Sequence, residues 1–478
     1  MTQAGTADRP PGALRKALIP LALAQFICSF AGSNMNVMIN DISKDLNTTV
    51  QGVQIAITVF LLVMAALMIP GGKLTDRYGR KRCFTVGLVV YGIGALLSAV
   101  APGLGVLIIG NSILEGVGTA LLIPPVYILA TLLFTGTASR ARAFGAISAM
   151  GGIGAAAGPL IGGLITSAIS WRAAFVFQAL VIVVIVVLAR GLIDPRPAQP
   201  GRPLDPVGAV LSAVGLVVLV GGIMAADKDL VLMLILIAAG VVIQAGFFAW
   251  IRHRERIGKE PLLETALFRN RTSNYALITQ NIQWAMLMGI SFAVSAYLQV
   301  IRHYSPIKTG VIFTATTVGV LLSSAAAGRL ARRFAQRSLI LSGFAITTIG
   351  VLVLLLLAKG HPSPWYSVPG LFLIGVGVGL MLTPSVNVVQ SAFPEDQQGE
   401  ISGLSRSVSN LGSSFGTAIA GTIVVAGFAV PTRAYVAAIL VMGFIGLIGF
   451  AAAWPLPRTR PAAPAAPAAP AAADPAGG

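Results

Sequence analysis

The chain has 478 residues, of which 56% are hydrophobic and only 10% charged, with a mean hydropathy of +0.85. Soluble domains carry roughly 25% charged residues, so this composition excludes a water-facing globule. The net charge of +17 would point to nucleic acid only if the basic residues gathered on one surface, and their placement along the chain argues otherwise.

Apolar runs long enough to span a bilayer, which takes about 20 residues, are predicted near 17–40, 53–72, 83–101, 104–127, 143–168, 173–194, 207–225, 230–251, 274–300, 309–328, 339–358, 367–390, 401–427 and 434–455, fourteen in all. The first run is full length and follows a polar, basic N-terminus, so no cleavable signal is evident. Cys28 and Cys83 both fall inside spans, which implies no disulfide framework. Basic residues sort by side. Arg9, Arg15 and Lys16 precede span 1. Lys73, Arg77, Arg80, Lys81 and Arg82 follow span 2, Arg140 and Arg142 span 4, and Arg196 and Arg202 span 6. Arg252, Arg254, Arg256, Lys259, Arg269 and Arg271 follow span 8, and Arg329, Arg332, Arg333 and Arg337 span 10. The alternate connections hold one or two basic residues at most, such as Lys228 or Lys359. The positive-inside rule then puts both termini in the cytoplasm. The basic balance is an orientation signal plus contact with anionic lipid, and no nucleic-acid partner is expected.

The chain repeats itself. Span 4 contains "GVGTALLIPPVYILATLLF" from Gly116, and span 12 contains "GVGVGLMLTPSVNVVQSAF" from Gly375. Gly116, Gly118, Leu121, Pro125 and Phe134 match Gly375, Gly377, Leu380, Pro384 and Phe393 at one constant offset. Gly145, Gly154, Gly158 and Gly163 match Gly403, Gly412, Gly416 and Gly421 at nearly the same offset, and Gly72, Arg77 and Tyr78 match Gly328, Arg333 and Phe334. Spans 1–6 and 9–14 are therefore two copies of one six-helix unit, with spans 7 and 8 inserted. The expected domains are a cytoplasmic N-terminus (1–16), an N-terminal six-helix bundle (17–194), two inserted helices with cytoplasmic linkers (195–273), a C-terminal six-helix bundle (274–455) and a Pro/Ala-rich cytoplasmic tail (456–478) expected to be disordered. Parallel halves suggest rocking around a central cavity, which is alternating access. Duplication and close helix packing alone also generate such repeats, but this one includes loop motifs.

After span 2 stands "GGKLTDRYGRKR", read as a connection. Gly72 allows close packing at a helix end and Gly79 a tight turn. Asp76, among cations, accepts charge-assisted hydrogen bonds or faces a helix N-terminus. Span 5 carries "GAAAGPLIGG" from Gly154 to Gly163. Gly154 and Gly158 share one helix face, and Pro159 bends the helix.

The first stretch resembles the G-x-L-x-D-R-x-G-R-K signature of the major facilitator superfamily through Gly72, Leu74, Asp76, Arg77, Gly79, Arg80 and Lys81. The second resembles the exporter motif G-x-x-x-G-P-x-x-G-G of that superfamily through Gly154, Gly158, Pro159, Gly162 and Gly163. "SWRAAFVFQ" from Ser170, "PLLETALFRNR" from Pro261 and "YLQVIRHYSPIKTG" from Tyr297 are similar to further segments of its fourteen-span drug:proton antiporter family. The resemblance implies an all-α membrane protein of major facilitator fold, a gate at Asp76, Arg77, Arg80 and Lys81, and antiport through the span 5 motif. It covers about residues 17–455. Two departures stand out. The acid that family carries in helix 1 is Ala31 here, and its proline farther along is Asn40. In helix 4 the family's R-x-x-x-Q-G-x-G becomes Asn111, Glu115, Gly116 and Gly118, so the usual coupling residues are replaced.

Of the sixteen acids, only Glu115 is expected near mid-membrane. A charge there costs roughly 2.5–3.5 kcal/mol on insertion scales. Such a carboxyl can exchange protons when a cavity opens or attract a cationic substrate, and competition between the two is the physical minimum for antiport. The structural alternative is a hydrogen-bonded group paired with Asn111. Arg406 in span 13 either snorkels to the cytoplasm or faces the cavity. Gln25, Asn34, Asn36, Gln280, Asn281, Gln283, Trp284, Asn387 and Gln390 are further cavity candidates, of which about half are expected only to bond helix to helix. Residues 252–272 are expected to lie on the inner membrane face as an amphipathic helix. No P-loop or metal cluster occurs in the sequence. The resulting expectation is a non-enzyme without cofactor, a monomer in the inner membrane, whose partners are protons, lipids and a small lipophilic substrate, cationic compounds included. Its function would be multidrug efflux by proton antiport. The alternatives are export of lipids or a secondary metabolite without proton coupling, and a membrane sensor that binds without turnover.

Overall fold

The structure is a computed structural model and describes residues 11–134, 137–195, 198–201, 203–331, 333–358, 363–394, 397–426 and 430–458. The tail expected to be disordered lies outside the described residues from 459 on, as do Arg9, Arg196, Arg202, Arg332 and Lys359.

Among the described residues the fold is helical, with no strand. The long helices are α1 (Pro11–Asn34), α2 (Val50–Tyr78), α3 (Arg80–Ala99), α4 (Leu104–Leu133), α5 (Thr137–Ala168), α6 (Trp171–Ala189), α7 (Pro206–Met224), α8 (Leu230–Arg256), α9 (Arg271–Ile301), α10 (Pro306–Leu330), α11 (Gln336–Ala358), α12 (Val368–Gln390), α13 (Gln398–Val425) and α14 (Pro431–Ala453). Thirteen qualify as membrane spans by length and composition, and fourteen if α5, bent near Ala156, is taken as one span. Pro159 accounts for such a bend, because it has no N–H to donate to the Ala155 carbonyl. Polar side chains start several helices. The side chains of Thr49, Ser170, Asp229, Asn270 and Ser305 accept from backbone N–H groups in the first turn, which satisfies donors a helix leaves free.

Packing reproduces the repeat. In the first half α1 packs on α4, α5 and α6, and α3 on α4 and α6. In the second α9 packs on α12, α13 and α14, and α11 on α12 and α14. The halves meet through two equivalent pairs, α2 with α13 and α5 with α10. Helices α7 and α8 form a hairpin whose α7 leans on α2 and α13, along one seam between the halves.

Three expectations need correction. Helix α2 runs six residues past its expected end and α3 begins at Arg80. The "connection" is thus Gly79 alone, at φ +97°, a conformation that favours glycine. Helix α1 stops at Asn34, followed by a 3₁₀ turn over Met35–Val37, because the Asn36 carbonyl is taken across the interface by Ser295 and Gln299. The 252–272 segment is no surface helix. After α8 it turns inward, with Leu262, Leu263 and Leu267 buried. Asp205 holds it there, accepting from Gly208 N (2.9 Å), Trp250 Nε1 (2.9 Å) and Leu262 N (3.1 Å), with Arg254 Nε at 3.6 Å.

Candidate functional site

The face carrying the α2–α3 turn is the basic face. There Arg80 Nη2 pairs with Asp76 Oδ1 at 2.9 Å, one helical turn back. The group facing the α3 N-terminus is Asp194, in the link after α6. Its Oδ2 accepts from Arg80 N at 2.7 Å and Lys81 N at 3.4 Å, while Lys81 Nζ donates to the Arg190 carbonyl at 3.0 Å. A carboxylate at a helix N-terminus offsets the free N–H groups and the helix dipole. Arg77 lies over the Tyr78 ring. The close approach expected of Gly72 belongs to its neighbour. A methyl on Gly71 would overlap the Ala120 carbonyl, whereas one on Gly72 meets only Pro124 Cβ, at 3.9 Å. Lys73 reaches out of the motif to Glu260 (3.0 Å) and to Glu400 of α13 (3.2 Å). That contact joins the two halves at the basic face.

The α5 glycines work as close-approach points. Gly154, Gly158 and Gly162 back onto Phe26, Ser33 and Asn34 of α1, while Gly163 backs onto Pro306 of α10. Their repeat counterparts do the same. Gly412 and Gly416 meet Asn281 and Ala285 of α9, and Gly421 meets Gln54 of α2.

Glu115 is fully buried at the end of a π-helical stretch over Ile108–Glu115. It points into the N-terminal bundle and not toward the other half. Tyr91 of α3 and Cys28 of α1 lie beside it, and α3 approaches at Gly94, where a methyl would sit 2.8 Å from Glu115 N. Neither carboxyl oxygen makes a well-aligned hydrogen bond among the described residues, although the Tyr91 hydroxyl is near enough to interact with it. The Tyr91 hydroxyl donates instead to Gln178 Oε1 at 2.5 Å. The alternative pairing with Asn111 is not seen among the described residues, since both polar side-chain atoms of Asn111 are also without partners. A π-helix shifts the register of side chains one turn apart, and such bulges frequently mark functional sites.

A second polar site joins the halves. Arg406 Nη2 of α13 donates to the Tyr127 hydroxyl of α4, and its guanidinium lies 5.1 Å from that ring's centre. The Tyr127 hydroxyl donates to Gln25 Oε1 of α1 at 3.3 Å. Phe144 of α5 stands against Tyr127, ring centres 5.7 Å apart. Of the sequence candidates, Gln25 and Arg406 are brought together here. Others bond helix to helix inside the C-terminal bundle. Gln280 accepts from Ser405, Gln283 accepts from Ser385, Asn281 donates to the Val408 carbonyl, and Gln390 donates to Ser402. Trp284 is half-buried and Asn387 exposed, whereas Asn34 is buried with both amide atoms unbonded.

On the opposite face the halves are clasped. Ser295 Oγ and Gln299 Nε2 (2.7 Å) both donate to the Asn36 carbonyl, Asn40 N donates to Gln299 Oε1 at 3.2 Å, and Ile307 N donates to Ser167 Oγ at 3.0 Å. Toward the basic face, added methyls on Gly145, Gly152 and Gly403 would meet nothing within 4 Å. Sequence reading missed Tyr127, Asp194 and Gln299. Tyr127 carried the best signal, as a hydroxylated aromatic in an otherwise apolar run of α4.

Residues 21–268 and 276–477 match the family model of the Major Facilitator Superfamily. The puromycin resistance protein pur8 of Streptomyces alboniger is 30% identical over 85% of this chain and 81% of its own length. The probable actinorhodin transporter of Streptomyces coelicolor is 30% identical over 88% and 74%. The multidrug efflux pump LfrA of Mycolicibacterium smegmatis is 27% identical over 87% and 82%. Among solved structures, a peptide transporter POT in complex with sulfate superposes with a TM-score of 0.66 at 20% identity, covering 94% of this chain and 96% of that one.

Proposed function

The chain belongs to the major facilitator superfamily, and on that premise we propose that it exports small lipophilic compounds across the inner membrane by alternating access. The observation that carries this reading is that two like-built halves meet through separate polar contacts at their two faces, as rocking requires. The halves are bonded at Asn36, Gln299 and Ser167 on one face and through Lys73 and Glu400 on the basic face. The positive-inside rule makes that face cytoplasmic. In the proposed cycle cargo loads from the cytoplasm when the Lys73–Glu400 contact opens and is released when the Asn36–Gln299 clasp opens. The relatives named for puromycin resistance, multidrug efflux and actinorhodin transport support export as the direction and a drug-like or secondary-metabolite cargo.

The energy source is the proton gradient, with Glu115 as the titrating group. Its carboxyl makes no well-aligned hydrogen bond and the Tyr91 hydroxyl stands beside it. Opening of α3 against α4 during rocking would admit water to it. Coupling of proton to cargo in this reading requires that rocking of the halves also loosen α3 from α4 within the N-terminal bundle. Proteoliposomes loaded with a dye panel and given an imposed pH gradient test the reading. Concentrative dye movement that collapses with a protonophore is expected. Binding with no movement under any gradient would sink the transporter reading in favour of a sensor.

A further inference from the structure

We propose that Arg406, Tyr127 and Gln25 form a recognition site for an aromatic anion, a carboxylate or phenolate carried on a flat ring. The proposal names a cargo class for the transport reading above and rests on it.

Arg406 is a half-buried cation about 9 Å along α13 from Glu400, at 1.5 Å per residue. Glu400 is itself engaged with Lys73. Glu115 is farther, about 18 Å along α4 from Tyr127. Among the described residues no carboxylate lies within 4 Å of Arg406, and only one of its N–H groups donates, to the Tyr127 hydroxyl. A guanidinium presents five donors in a planar fork that matches a carboxylate. An intramembrane cation ordinarily has an anionic or carbonyl partner, and among the described residues Arg406 has neither. The other members of the site fit an aromatic acid. Tyr127 and Phe144 stand with ring centres 5.7 Å apart, an aromatic pair beside the guanidinium. Gln25 is 4% exposed and ties Tyr127 to α1. Gly403, three residues before Arg406 and so on the same helix face, adjoins open space. Helices of both halves contribute, so a ligand held there is released when the halves part. An anion leaving a cell that is negative inside also moves with the membrane potential. Glu115, buried in one bundle, has no part in the site.

The test uses the full chain in lipid nanodiscs with fluorescein as the probe, read by anisotropy. Wild type is expected to bind, 2-naphthoate to displace the dye, and methyl 2-naphthoate, which lacks the charge, to displace it at least tenfold less well. This comparison needs no variant. Arg406→Met is expected to weaken fluorescein at least tenfold and Arg406→Lys about threefold, because charge remains while the fork is lost. Binding of the cation ethidium should change by less than twofold in both. No fluorescein binding by wild type, equal displacement by acid and ester, or a parallel loss of ethidium binding in Arg406→Met would each overturn the proposal. Arg406-dependent binding without transport in vesicles would support the site and defeat the export reading instead.

Discussion

Two carboxylates divide the residue-scale chemistry. Glu115 is buried beside the Tyr91 hydroxyl, and Glu115→Gln keeps its shape while removing titration. We expect the variant to insert and fold, since a neutral amide costs less in lipid than a carboxylate, and to lose transport driven by a pH gradient. Wild-type accumulation with an unchanged pH profile would make Glu115 structural. Asp45 lies outside the spans and accepts from the Arg172 guanidinium and from Trp171 Nε1 at 3.0 Å. These bonds, that from Arg172 first, hold its carboxyl below the usual range. A depressed folded pKa contributes stability above the unfolded value, about 3.9 for Asp, and loses it as pH falls through the folded value. The melting-temperature gap between wild type and Asp45→Asn should therefore be constant near pH 6–7 and shrink below about pH 4. A gap that widened with acid would reverse the assignment.

At the scale of elements, small residues and one buried acid set how helices meet. A methyl on Gly71 runs into the Ala120 backbone, and a methyl on Gly72 finds ordinary contact. Gly71→Ala should cost about 1–3 kcal/mol by overpacking and Gly72→Ala much less, measured by thermal melts in detergent. Equal losses would mean that α2 and α4 are not held at this spacing. Asp205 ties the α7 start, α8 and Leu262 together. Asp205→Ala strands these donors and Arg254, so a loss of about 3 kcal/mol is expected. It should appear as faster proteolysis after α8, and an unchanged cleavage rate would count against the hub.

For the whole molecule, transport by rocking requires the clasp opposite the basic face to open. Ile307 N and Ser167 Oγ are 3.0 Å apart across the halves, close enough for their positions to be bridged if the Cα separation falls in the usual range. The double variant Ser167→Cys, Ile307→Cys should lose transport on oxidation and recover it with reductant. The two native cysteines are buried, so background crosslinking should be low. Full transport by the quantitatively crosslinked protein would rule out opening at this face.

The sequence by itself determined the number of helices, the repeat and the family, because bilayer length, small-residue spacing and loop motifs are local quantities that survive without knowledge of neighbours. It also singled out Glu115 and Arg406, because charge within an apolar run is visible in one dimension. The tertiary structure alone decided where those groups point. Glu115 faces Tyr91 inside one bundle, and Arg406 faces Tyr127 across two, because the π-helical register and the α4–α13 approach depend on helices distant in sequence. The same holds for Gly71 in place of Gly72 and for Asp194 at the α3 N-terminus. Which face of a helix is crowded, and which acid reaches a given turn, follow from contacts between segments that no local pattern encodes.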